Sequence, residues 1–284
     1  MATMEATCAL ILALLTMANN MEPAAAVQFA TFKDFLAILR PRASYPTHCD
    51  VTTPGLTPED EKELLKKHND LRSSIAGGKV DKFPKPAGMN MLEWDKDLAT
   101  KAQETANSCD PTKQEEDAAA GITQNTGSAK ATDPAAKNGM AVIENWIKGK
   151  EKFDVAALDK YAKPPDADAE RFSQIIWGMT AHVGCGYLRF KNKAQPTEDP
   201  QEILVCNYKP GGRKDGKPVY EKGEPCSKCE DGRKCDDETK LCKTAGGGSG
   251  DSTDQRTEEG GSGMAVVGII AAVIAVGVVV AGVA

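Results

Sequence analysis

The chain has 284 residues, of which 40% are hydrophobic and 27% charged, and its formal net charge is −6. That composition describes an ordinary globule of one or two domains and excludes a disordered or polytopic chain. The acidic balance argues against a nucleic-acid partner, whose surface needs clustered Lys and Arg.

Taken in chain order, an apolar run from Cys8 to Met17 comes first, followed by Ala24-Ala25-Ala26. An apolar stretch and a small-residue cleavage pattern predict a secretory signal over 1–26, although Glu5 and the lack of Lys or Arg ahead of the run depart from the usual form. Residues 27–56 form an N-terminal segment. Within it Phe29, Phe32, Leu36 and Leu39 recur at helical spacing, as a propeptide or as a helix packed on the domain.

Thr57-Pro58-Glu59-Asp60 predicts a helix start: a capping hydroxyl, a proline in the first turn, and acids at the positive end of the dipole. The helix should run to Ala76 and stop at Gly77-Gly78. Its apolar stripe is Leu64, Leu65, His68, Leu71 and Ile75. A second helix is predicted over Trp94–Cys109, capped by Asp95, with Leu98, Ala99, Ala102 and Ala106 on one face. Residues 110–139 are polar and read as loops with short turns. A third helix is expected over Pro134–Gly149, presenting Met140, Ile143, Trp146 and Ile147. Residues 150–168 read as loop, and Phe172–Trp177 is a dense apolar run. Val183–Phe190 and Glu202–Tyr208 alternate β-branched or aromatic residues and predict two strands. Helices early and strands late give an α+β fold with an antiparallel sheet.

Residues 213–242 read as a Gly/Lys/Pro-rich linker and then a cysteine-rich module, Cys226–Cys242, too short for a hydrophobic core of its own. Residues 243–263 are a polar spacer, and 264–284 are apolar and uncharged. At about 1.5 Å per residue the last segment could span a bilayer core. Small residues, a polar spacer and an apolar end match a glycolipid-anchor (GPI) signal better than a plain single-pass span, with Ser249 as the attachment residue and Ser252 as second choice. That puts the chain on the outer leaflet of the cell surface.

Nine cysteines occur, and Cys8 lies in the signal. The other eight are Cys49, Cys109, Cys185, Cys206, Cys226, Cys229, Cys235 and Cys242. An even set behind a secretory signal predicts disulfides. A four-thiolate zinc site in the last four is the alternative. No Asn-x-Ser/Thr acceptor is present.

Four local patterns together resemble one family. They are His68-Asn69-Asp70-Leu71-Arg72; Met91 to Ala99 with Ala102 and Cys109; Phe172-Ser173-Gln174-Ile175-Ile176-Trp177 with Val183-Gly184-Cys185-Gly186; and Val205 to Gly212. The chain is similar to the CAP superfamily of cysteine-rich secretory, antigen-5-like and pathogenesis-related proteins, most of all to its venom allergens, over residues 57–212. The resemblance implies an α-β-α sandwich. It implies pairings of Cys185 with Cys206 and of Cys49 with Cys109. It also implies a hinge module paired Cys226–Cys235 and Cys229–Cys242, one of three possible connectivities. The two predicted strands support the Cys185–Cys206 pair independently.

Many members of that family hold a divalent metal with two His and two Glu. Position by position, the resemblance puts Lys113, Gln124, Gly149 and Arg171 at those places. Metal ligation needs neutral imidazoles and carboxylates, and a protonated Lys or Arg offers no lone pair. No metal or other cofactor is therefore expected. Two readings of Arg171 stand: with Lys113 it docks a carboxylate or phosphate, or it pairs with a nearby acid such as Glu170 or Asp168. His68 is expected as a hydrogen-bonded core residue, and Trp94, Trp146 and Trp177 as core fillers. His48 and His182 find no nucleophile to serve. No nucleophile elbow, phosphate loop or metalloprotease helix appears. The expectation is a non-catalytic surface protein whose CAP domain binds a partner protein or an apolar lipid. A coat antigen without a dedicated ligand, or a metal-dependent protease, is the alternative.

Overall fold

The computed structural model describes residues 45–131, 138–195 and 197–245. The signal, most of the N-terminal segment, Pro134–Lys137 of the third predicted helix, Ser249, Ser252 and the apolar 264–284 segment lie outside the described residues. Among those described, no helix is long and apolar enough to cross a membrane.

The elements are β1 (Cys49–Pro54), α1 (Pro58–Ala76), β2 (Glu93–Trp94), α2 (Lys96–Ala106), β3 (Thr123–Lys130), α3 (Met140–Lys148), α4 (Ala167–Ile175), β4 (His182–Asn192), β5 (Gln201–Lys209), β6 (Arg233–Asp236) and β7 (Leu241–Thr244). Two short 3-10 turns lie between α3 and α4. α1 begins at a capping box: the Thr57 side chain accepts from the Asp60 N–H, and Asp60 accepts from the Thr57 N–H. Asp95 caps α2, accepting from the N–H groups of Asp97 and Leu98.

The main sheet runs β1-β4-β5-β3, all neighbours antiparallel, with β2 parallel to β4. β5 is buried on both faces, and its alternation assigns the layers. Ile203 and Val205 point to α2, with Ala102, Ala106, Leu188 and Phe190. Leu204, Cys206 and Tyr208 point to the opposite side, with Leu64 and Ile75 of α1, Ile143 and Trp146 of α3, and Phe172 of α4. The result is a three-layer α-β-α sandwich. Each large apolar side chain so buried contributes roughly 1.5–3 kcal/mol.

α2 lies close to the sheet because β4 presents glycines to it. A Cβ on Gly184 would come within 2.3 Å of the Ala99 nitrogen, and one on Gly186 within 2.2 Å of the Gln103 nitrogen. Four disulfides staple the molecule: Cys49–Cys109, Cys185–Cys206, Cys226–Cys235 and Cys229–Cys242. The first ties β1 to the turn after α2. The second crosses directly between paired residues of β4 and β5.

Four expectations need correction. Residues 110–139 are not loop throughout: β3 closes one edge of the sheet. Its inward side chains are Gln124, Asn125 and Thr126, so it has no apolar alternation to show. Residues 150–168 are not loop throughout either, since Asp166 caps α4, which starts at Ala167. β1 extends the sheet into residues before 57. The 213–225 stretch is not a free linker: Val219 and Tyr220 are buried in the main core, and so is Leu241 of the cysteine-rich module. The Gly178 N–H donates to the Val219 carbonyl, and the Met91 N–H to that of Cys242.

Candidate functional site

The candidate site is the cleft where α4, the start of β3 and the loop ahead of β3 meet. Gln124 lies on β3 with its side chain toward α2. Its Nε2 donates to Oδ1 of Asn207 at 2.9 Å and to the Thr105 hydroxyl at 3.3 Å. Its Oε1 accepts from the Glu115 N–H at 2.9 Å and the Thr126 hydroxyl at 3.3 Å. Asn207 in turn donates to the Leu98 carbonyl. Every polar atom of this buried amide has a partner, as burial requires.

Arg171 takes the second of the two readings. Its Nε donates to the Thr126 carbonyl at 2.6 Å and its Nη1 pairs with Asp168 at 3.0 Å. Lys113 pairs with Glu115 at 2.7 Å, which holds the Glu115 carboxyl below its usual range. Gly149 is buried where α3 ends, and a Cβ there would come within 2.1 Å of the Asp168 carbonyl oxygen. Contacts thus string the four positions together: Gly149 packs on Asp168, Asp168 pairs with Arg171, Arg171 grips β3, and Gln124 holds the loop bearing Glu115 and Lys113.

A concavity of about 240 Å³ adjoins Gln124, lined by Glu104, Thr105, Glu115, Glu116 and Asp117 among others. A second, of about 340 Å³, is lined by residues including Tyr45, Asn107 and Lys113. Both are polar.

On the far side of β5, His68 is fully buried. Its Nδ1–H donates to the Leu64 carbonyl at 2.7 Å, and its Nε2 accepts from the Tyr208 hydroxyl at 2.9 Å. Asn125 donates to the same hydroxyl at 3.4 Å and to the Arg171 carbonyl at 3.0 Å. Burial pulls the imidazole down to about 4, so the ring is neutral and serves the core. Trp146 and Trp177 are buried, while Trp94 is only partly so. His48 is exposed and His182 half-buried.

The contacts of three important residues escape sequence reasoning. Arg72, named in the sequence only as part of the His68–Arg72 pattern, is fully buried and donates to the carbonyls of Asn90, Ile175, Trp177, Gly178 and Thr180. Arg213 and Glu170 meet in the cleft across 43 residues of sequence, and nothing local announces that. In the cysteine-rich module the sulfurs of Cys226, Cys229 and Cys242 lie within 4.8 Å of one another. All are in disulfides, so the zinc alternative has no thiolates to use.

The sequence profile of the cysteine-rich secretory protein family, CAP, matches residues 65–208, about half of the chain. A CRISP/Allergen/PR-1 protein of Trittame loki is 32% identical over 64% of this chain and 46% of its own length. A cysteine-rich venom protein of Tityus serrulatus is 31% identical over 67% of this chain and 47% of its own. The chain therefore spans about half the length of these two curated relatives. The crystal structure of NaASP2 with Zn2+ superposes with a TM-score of 0.55 at 26% identity, covering 70% of this chain and all of that one. BmVAL-1 gives a TM-score of 0.54 at 23% identity over 67% of this chain and 96% of that one, a likeness of fold alone. The chain belongs to the CAP family of cysteine-rich secretory proteins, and its type is that of the venom allergens.

Proposed function

We propose that this chain is a non-catalytic, disulfide-stapled extracellular CAP protein that works by binding. On this reading the signal over 1–26 directs secretion, and a lipid anchor at Ser249 holds the protein on the outer leaflet. The supporting observation is how the four cleft positions are used. Lys113 and Arg171 are engaged with Glu115 and Asp168, Gln124 with the Asn207 amide, two hydroxyls and backbone, and Gly149 with backbone packing. None presents a free metal-ligating group, so the donor set does not fit a zinc ion at those positions. Zinc is present in the NaASP2 structure; here the same fold is turned to recognition.

Of the two ligand classes, a partner protein fits better than an apolar lipid. Both concavities place several charged or amide side chains in their lining, with few apolar ones. Met179 is the exposed large hydrophobic residue among those described, and an apolar ligand needs more apolar lining than that. Native mass spectrometry of protein released from its source membrane tests the choice. The expected result is a chain free of lipid that forms a stoichiometric complex with a protein. A lipid retained at about one per chain would replace the protein partner with a lipid.

A further inference from the structure

Arg213 follows the Gly211-Gly212 pair with a φ of 51°, in the left-handed region that costs a residue with a Cβ about 1 kcal/mol or more. Its side chain is only 6% exposed, and its guanidinium reaches three walls of the cleft. Nη1 donates to Oε1 of Glu170 on α4 at 3.3 Å. Nη2 donates to the Gln124 carbonyl on β3 at 2.8 Å and to Oε1 of Glu116 in the loop before β3. The Gln124 N–H donates to that same Glu116 oxygen at 3.4 Å. The Tyr161 hydroxyl is buried nearby, its pKa raised chiefly by burial, and the Ser173 hydroxyl that acts on it donates to the Glu170 carbonyl at 2.6 Å.

We propose that Arg213 is the cleft's own cation: a tethered guanidinium filling a site whose donors would otherwise take a hard divalent ion, and so setting the cleft against cationic ligands. This rests on reading the family cleft as one that works without a bound metal. Two carboxylates and a backbone carbonyl make an all-oxygen set, which suits calcium or manganese rather than zinc. Both carboxylates meet nitrogens of one guanidinium, so a single cationic group already bridges them. A fixed fork of N–H donors matches that geometry and cannot be deprotonated at ordinary pH. The left-handed backbone at Arg213 is tolerated because the contacts of its side chain hold it there. Lys163 also pairs with Glu170, at 3.1 Å, but its side chain is 71% exposed, and such pairs are weak.

The test is titration of calcium and of manganese into the full chain, followed by calorimetry and by the manganese spin-resonance signal. Wild type, Arg213→Ala and the neutral, similarly sized Arg213→Gln are compared. Wild type should show no saturable site at millimolar ion. Each variant should gain one site with at least about tenfold stronger uptake, and Glu170→Gln added to either variant should abolish it. Folded variants, judged by near-ultraviolet circular dichroism, that take up no ion would overturn this proposal and leave the non-metal reading of the cleft intact. Failure of both variants to fold even in millimolar calcium would overturn it too, since an ion would then not replace the guanidinium. A wild-type chain that saturates with one ion would overturn both readings.

Discussion

Arg72 is a cation inside the core without a carboxylate beside it. Its five N–H donors are spent on carbonyls at 2.6–3.2 Å. Burial first, and then the charge of Arg233, pull its pKa down to about 9. It fixes the Ile175–Thr180 turn between α4 and β4 onto the Asn90 segment. Arg72→Met should leave the Asn90, Ile175 and Thr180 carbonyls without their donor, since those of Trp177 and Gly178 keep a backbone N–H, and should cost about 3 kcal/mol or more in urea denaturation; a loss under about 1 kcal/mol would show that water replaces the contacts. His68 gives a pH signature. Its folded pKa, about 4, lies below the ordinary 6.5, so folding favours the neutral ring. Its contribution is complete above about 6.5 and is lost as pH falls towards 4, where the unfolded chain takes up a proton that the folded chain refuses. The difference is about 3 kcal/mol. His68→Gln should flatten stability between pH 6.5 and 4, and an unchanged slope would assign the acid sensitivity to carboxylates instead.

At the level of elements, what could be read from sequence was what carries its own local code. α1 has a capping box and an apolar stripe, and β4 and β5 alternate; all three lie within two residues of where the pattern puts them. β3 was illegible because Gln124, Asn125 and Thr126 bury amides and a hydroxyl, and the partners of the amides come from α2, α4 and β5, far away in sequence. β1 was illegible because half of its residues are exposed and its partner lies over 130 residues away. The cleft positions could be mapped from the resemblance, but their partners could not. Asp168 is near Arg171 in sequence, whereas Arg213 reaches Glu116 and Glu170 only through the fold. The closeness of α2 to β4 yields a test. Gly186→Ala must push a Cβ into α2 backbone, which has no rotamer to yield, and should cost about 2 kcal/mol or more in chemical denaturation. Wild-type stability would mean that α2 can lift from the sheet at little cost.

For the whole molecule, four disulfides and one shared core bind the sandwich and the cysteine-rich module together. Alkylation of the denatured, unreduced mature chain should label none of Cys49, Cys109, Cys185, Cys206, Cys226, Cys229, Cys235 or Cys242, and any labelled position would break that framework. If residues 243–284 encode a lipid anchor, a phosphatidylinositol-specific phospholipase should release the protein from cells, whereas full retention would favour a membrane-spanning tail. The decisive measurement is a calorimetric titration of zinc into the wild-type domain. Because Lys113, Gln124, Gly149 and Arg171 are committed to their own neighbours, no single saturable site should appear. One zinc bound per chain with micromolar affinity would contradict the reading of this cleft as a recognition surface without a metal.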